Sequence, residues 1–191
     1  MVAPTLGTWR MTRCRWLALL GVVLAGLVVL LVRPDGTEPD PVTDTRPVAW
    51  SVGFETIDRI AIELRSSGSG QAWIKGGDGD WYFEGPGRTK VDDERWGGGI
   101  PLLVSGPVAQ RLIAENASAA QLAIYGFAAP QMRVRLTVAD NAPIEIEVGD
   151  RTPDGSADYV RVADAPTVYA IHHAWKDVLA RLVLDPPVAR E

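Results

Sequence analysis

The side chains best suited to chemistry in this chain fall into a few small groups, and each has an ordinary structural use as well. His172 and His173 are the only histidines. Adjacent residues point to opposite sides of a strand, or about 100° apart at a helix start, so a metal would need further ligands that neither a third His nor a nearby Cys supplies. Asp78-Gly79-Asp80 begins like a calcium loop but lacks the spaced oxygens and the closing Glu, and turn chemistry accounts for it. Asp92, Asp93 and Glu94 offer carboxylates for glycoside hydrolysis, which needs two of them about 5 to 9 Å apart. Consecutive carboxylates do not set that spacing, and they suit the first turn of a helix instead. Ser67-Gly68-Ser69-Gly70 has no following helix to form a nucleophile elbow, and it lacks the four-spaced glycines of a phosphate loop. Asn116-Ala117-Ser118 is a formal glycosylation sequon, but Ser118 is better placed as a helix cap. No catalytic, cofactor-binding or metal-ligating residue is assigned.

Thiol chemistry is confined to one position, Cys14. It precedes a run of seventeen residues, 16–32, without a charged side chain. As a helix that run rises about 25 Å, against roughly 30 Å of hydrocarbon, and Arg15 and Arg33 can snorkel to the two interfaces. Arg10, Arg13 and Arg15 precede it with no acidic residue among them, which places the N-terminus in the cytoplasm and everything after Arg33 outside. A cleaved signal peptide is the rival reading. Its apolar core runs to about 7 to 15 residues and ends in a small-x-small site, which Leu30-Leu31-Val32-Arg33-Pro34 does not offer. An uncleaved anchor is the reading adopted, and a lipid-modified Cys would have followed the apolar run. Beyond Arg33 the chain has 15 basic and 24 acidic residues, a net charge of −9. Such a surface repels nucleic acid and anionic lipid headgroups.

After the span, residues 34–49 are rich in Pro, Asp and Thr and read as a semi-extended tether. Ile60, Ile62 and Leu64 then alternate with Arg59, Glu63 and Arg65, the mark of a half-buried strand. Residues 71–75 and 80–84 read as two strands around Gly76-Gly77-Asp78-Gly79. Residues 92–104 start as a helix capped by Asp92, but Gly97-Gly98-Gly99 and Pro101 interrupt it, each interior Gly costing about 1 kcal/mol and Pro about 3. Residues 109–115 suit a strand, and Ser118 caps a short helix ending at Tyr125-Gly126-Phe127. There Gly126 takes the left-handed conformation and Phe127 folds back. Met132, Val134, Leu136 and Val138 alternate with Arg133 and Arg135, and Ile144, Ile146 and Val148 with Glu145 and Glu147. A hairpin follows; if Leu136 faces Ile146, Arg135 faces Glu147 on the exposed side. Residues 158–162 and 167–171 form another hairpin, and a helix over 173–184 puts Trp175, Val178, Leu179, Leu182 and Val183 on one stripe against the sheet.

Leu122, Tyr125-Gly126-Phe127, Pro130, a hairpin ending in Val148-Gly149, Asp158-Tyr159-Val160 and Val168-Tyr169 with Ile171 come in the order found in the DUF4340 family, which the chain resembles over about residues 57–184. Trp81 and Pro86 take the positions of that family's upstream Trp and Pro. Phe127 replaces its usual Leu, and the Gly triplet with Pro101 interrupts its helix. The resemblance implies an envelope protein with one membrane span and an exported domain, found with auxiliary parts of gliding-motility-type ABC transport systems. It carries over no catalytic residue. Tyr125, Gly126, Phe127, Pro130, Gly149 and Tyr159 read as architecture.

The expected class is α+β: an N-terminal single transmembrane helix followed by one domain of mainly antiparallel β-hairpins, with two or three short helices and a C-terminal amphipathic helix. Its parts are a basic cytoplasmic segment 1–15, the anchor 16–33, the tether 34–49 and the exported domain 50–187. Of the seven Trp, Trp9 and Trp16 suit the membrane interface, Trp81 and Trp175 the core, and Trp50, Trp73 and Trp96 are candidate partner contacts. The function expected is a non-catalytic accessory protein of the bacterial inner membrane, single-pass, N-terminus cytoplasmic and C-terminal domain periplasmic. It needs no cofactor and binds protein partners in an envelope or ABC-type transport complex. The alternatives are a small subunit of a large integral membrane complex, or a cell-wall or polysaccharide-binding or -cleaving protein using Asp80, Glu84 or Asp92.

Overall fold

A computed structural model describes residues 46–96, 99–139 and 141–189, which belong to one unit over 45–191. The anchor 16–33, the segment before it and most of the tether lie outside the described residues. Among the described residues no helix is long and apolar enough to cross a membrane.

Alternation builds the sheet. In β1 (Ile57–Leu64) the side chains of Ile57, Ile60, Ile62 and Leu64 are buried while Asp58 and Glu63 are exposed, as a strand with one covered face requires. β2 (Ser69–Lys75) and β3 (Trp81–Phe83) follow, then β4 (Arg111–Ala114), β5 (Met132–Val138), β6 (Ile144–Arg151), β7 (Ala157–Val162) and β8 (Val168–His172). The described strands form one sheet in the order β3-β2-β1-β5-β6-β7-β8-β4, every neighbour antiparallel. The chain therefore lays down a meander, crosses to the far edge for β4, and returns to the centre for two hairpins.

Four helices accompany the sheet among the described residues, besides a 3-10 turn at Phe54–Thr56: α1 (Asp93–Trp96), α2 (Ile100–Ser105), α3 (Ala119–Ile124) and α4 (His173–Leu184). The interruption read from the Gly triplet separates α1 from α2. Asp92 Oδ1 accepts from the backbone N–H of Glu94 and Arg95 at 3.1 and 3.2 Å, the capping read from sequence. Ser118 and Gln121 form a capping box on α3. α4 packs across β1, β2, β7 and β8, burying Trp175, Leu179, Leu182 and Val183. Val178, read as part of that stripe, is instead 40% exposed. Val178 lies at the groove between α4 and α2.

The register of the central hairpin corrects the sequence reading by two residues. Leu136 faces Ile144, Val134 faces Ile146, Arg135 faces Glu145 and Arg133 faces Glu147. A two-residue slip keeps every side chain on its proper face, so alternation alone does not distinguish the registers. Glu147 is also buried rather than exposed, because Arg161 of β7 reaches it at 2.7 Å. The last tether residues join the fold: Val48 bridges Val108, and Ala109 N–H donates to the Pro47 carbonyl at 2.8 Å.

The two sheet edges are protected differently. β3 is covered by residues 89–91, with Phe83 N–H donating to Thr89 O and Val91 N–H to Trp81 O, both at 2.9 Å. β4 is short, begins with Arg111 and is irregular between Leu112 and Ala114, features that discourage edge-to-edge pairing.

Candidate functional site

Two of the three Trp read as candidate partner contacts are core residues. Trp73 has no exposed surface, pairs with Ile60 and Phe83 across its neighbours and lies 6.2 Å from the Phe83 ring. Trp50 is buried edge-on against Trp175 at 5.8 Å. An indole without a neighbouring surface to share is drawn into the core by its large apolar area. The Trp96 side chain lies outside the described residues. Trp81 and Trp175 are buried as read from sequence.

The buried indoles do a specific job. Trp50 Nε1–H donates to the Val104 carbonyl at 2.8 Å, and Trp175 Nε1–H to the Leu103 carbonyl at 2.9 Å. Both carbonyls belong to the last turn of α2, where helix partners are missing. A helix of six residues, too short to stand alone, is thereby fastened to the core. Ile100 and Val104 face inward, while Leu102 is 61% exposed at its crest. On one side of α2 lies a groove of about 420 Å³ lined by Leu102, Leu103, Pro107, Val108, His172 and Trp175. On the other lies one of about 350 Å³ against α4, lined by Ile100, Leu103, Val178 and Leu182 with Arg95 and Arg181 at its rim. Val108 is 44% exposed. The ridge and its grooves form the apolar feature that sequence reading missed; the Gly triplet obscured the helix that carries it.

The face of the sheet away from α4 is charged. Glu63, Arg135, Glu145, Arg133, Glu147 and Arg161 alternate in sign across β1, β5, β6 and β7, with contacts of 2.9, 2.8, 3.4, 3.4 and 2.7 Å in turn. Arg161 also lies over the Phe127 ring at 5.1 Å. Asp158, almost fully buried, is held by Lys176 at 2.7 Å and Arg151 at 3.3 Å.

The residues singled out for chemistry are scattered rather than convergent. Glu84 accepts both Nε and Nη2 of Arg59, at 2.9 and 2.6 Å, and that hydrogen bonding holds its carboxyl below the usual range, the reverse of what a general acid needs. Asp80 pairs with Lys90 at 2.7 Å, and Asp92 caps α1. Asp78 accepts from the Tyr82 hydroxyl at 2.5 Å and the Asp80 N–H at 3.1 Å, which is turn chemistry. His172 and His173 stack at 4.6 Å instead of pointing apart. The His172 ring accepts from Ala174 N–H as the cap of α4, and His173 Nδ1 meets Asp177 at 2.9 Å.

Tyr125, Gly126, Phe127, Pro130, Gly149 and Tyr159 meet at one corner. Gly126 has φ +87°, so the chain turns off α3 and Phe127 N–H donates back to Leu122 O at 2.9 Å. Tyr125 O then accepts from Asp150 N–H at 2.8 Å, and the Tyr125 and Tyr159 rings lie 4.7 Å apart. Pro130 is buried and leads into β5. The corner clamps the end of α3 onto β6.

One turn beside this region gives a pH dependence with a definite sign. Asp154 accepts hydrogen bonds from the Thr152 hydroxyl, the Ser156 N–H and the Ser156 hydroxyl, with Arg111 nearby, and its pKa falls from 3.8 to about 2. A carboxylate lowered on folding contributes stability above its unfolded value that is lost as pH falls through the folded one. Urea midpoints should therefore drop between about pH 4 and pH 2, and Asp154→Asn should drop less steeply over that window.

These features define an α+β domain with a single antiparallel sheet, α2 and α4 packed on one face and the end of α3 with its Tyr-Gly-aromatic corner on the other. The chain belongs to the family described as Domain of unknown function (DUF4340), which it matches over residues 81–185. No curated protein and no solved structure matches it.

Proposed function

We propose that this protein is a non-catalytic accessory component of the bacterial inner membrane, anchored through residues 16–33, whose exported domain binds a partner protein of an envelope or ABC-type transport complex. The observation that carries this reading is the α2 ridge. Leu102 at the crest and Val108 and Val178 beside it leave an apolar strip exposed at the rim of two grooves, and contiguous apolar surface with a polar rim is how partner sites present themselves. A short helix pinned by two indole hydrogen bonds is also pre-organised, which lowers the entropy cost of docking. The polysaccharide reading has less support, because Trp50 and Trp73 are buried and Asp80, Glu84 and Asp92 are each engaged within the fold.

The test is purification of the full chain in mild detergent beside its Leu102→Asp variant. Leu102 is mostly exposed, so the variant should keep the wild-type melting temperature while losing its co-purifying partner by about tenfold or more, as expected for a central apolar contact. Recovery of the wild-type chain alone as a monomer, or an unchanged partner yield with the variant, overturns the proposal.

A further inference from the structure

On the charged face of the sheet, the β1–β2 turn and residues 128–130 enclose a cleft of about 500 Å³. Its floor carries Glu63, Arg65 and Arg133, one of its sides Ser69 and Gly70, and the other Ala128, Ala129 and Pro130. The hollow has a simple origin. Gly70 stands opposite Glu63 and contributes no side chain, and the facing wall is built of small residues that follow the Tyr-Gly-Phe corner.

The charges in this cleft do not cancel. Glu63 is committed to Arg135 at 2.9 Å. Arg133 has only two long contacts, at 3.4 Å each, through Nε to Glu145 and Glu147, which leaves its terminal nitrogens open. Arg65 is exposed, and among the described residues its guanidinium has neither an ion pair nor a hydrogen bond. Arg65 N–H donates to Gln131 O and Glu63 faces Arg133, so Arg65 and Arg133 are diagonal cross-strand neighbours, with backbones roughly 7 to 8 Å apart. Two long side chains can converge from that separation on one oxyanion.

We infer that this cleft binds a carboxylate, held between Arg65 and Arg133, for which a short Glu-bearing peptide is the probe. The class of ligand follows from charge and shape. The row of Glu63, Arg135, Glu145, Arg133, Glu147 and Arg161 is neutral in sum, so Arg65 leaves the cleft with one positive charge, which matches a monoanion; a phosphate dianion would be set against Glu63. Guanidinium forks pair with carboxylates in a bidentate fashion, and the Ala-Ala-Pro wall accommodates the aliphatic part of the chain that bears the group. The domain as a whole is strongly acidic, so recognition rests on this local contrast rather than on long-range steering, and it weakens with salt. The site lies on the opposite face of the sheet from α4, and it stands or falls independently of the α2 ridge.

The experiment uses the full chain in detergent and a fluorescein-labelled peptide of alternating Ala and Glu, followed by anisotropy, with its Ala-Gln counterpart and inorganic phosphate and acetate as competitors. The expected result is saturable binding of the Glu peptide, roughly tenfold weaker with Arg65→Ala, as for loss of one charge-assisted fork, and partly recovered with Arg65→Lys. Arg65 is unpaired at the surface, so its replacement leaves the fold intact, which the melting temperature verifies. Equal binding of the Gln peptide, unchanged affinity with Arg65→Ala, or displacement by phosphate at lower concentration than by acetate would each overturn the assignment.

Discussion

Trp73→Ala is expected to destabilise the domain by about 4 kcal/mol, the usual range for emptying a buried indole site. Trp73 sits in the middle of β2 with no exposed surface, between Ile60 on β1 and Phe83 on β3. β1 and β2 also lie under α4. The void would therefore be bounded by strands on both sides and by a helix above, none of which can collapse into it without breaking the backbone ladder. For a domain of this size the loss corresponds to a fall of roughly 10 °C in melting temperature, readable by circular dichroism. The outcome separates two roles for this residue: a surface contact would leave stability unchanged and affect only association, whereas a core residue lowers stability with no partner present.

The second large effect is at Gly149. A β-carbon there would overlap the carbonyl oxygen of Tyr125, the same oxygen that accepts from Asp150 N–H at 2.8 Å. Gly149→Ala must therefore push the end of α3 off β6, breaking that hydrogen bond and loosening Phe127 from the Arg161 guanidinium above it. About 3 kcal/mol is expected, the upper part of the range for overpacking a tight contact, measured as a shift in urea midpoint. Gly126→Ala provides the internal comparison. Its φ of +87° strains any L side chain, and its β-carbon would come within 2.6 Å of Asp150 N. Both substitutions act on one contact, so the double variant should lose clearly less than the sum of the two singles. Strict additivity would mean that Tyr125 O and Asp150 N–H do not form a shared clamp.

Local patterns were legible where a single physical rule governs a short stretch. Alternation in residues 57–64 and 132–148 identified the strands and the face each side chain takes, and capping chemistry identified Asp92, Ser118 and the Gly126 exit from α3. The sequence order of Tyr125-Gly126-Phe127, Pro130 and Gly149 sufficed to recognise the family. Legibility failed where a side chain's environment is set by a strand or helix distant in the chain. Trp73 is flanked two residues away on each side by Gln71 and Lys75, so period two says nothing of the α4 helix that covers it. Trp50 precedes the first strand and looks like the end of a tether, yet it is bonded to the last turn of α2. Glu147 reads as a solvent-facing residue until Arg161 on the next strand comes beside it.

The candidate surfaces show the same division. The α2 ridge comes from a segment that the Gly triplet made look broken, and its exposure depends on Trp50 and Trp175 fixing it from below. The cleft at Arg65 comes from a cation at the end of β1, a Gly on β2 and a wall from the loop after α3, three pieces of chain that only the sheet order brings together.

From its residues alone, then, the chain specified its strands, caps and turns, an uncharged seventeen-residue run at the N-terminus and an acidic, thiol-free remainder, because each of these depends on neighbours within a few positions. The hairpin register, the commitment of two Trp to the core, the burial of Glu147 and the unbalanced charge at Arg65 were decided by tertiary structure. A two-residue register change preserves every local pattern, and burial and ion pairing depend on which distant segments the sheet places side by side.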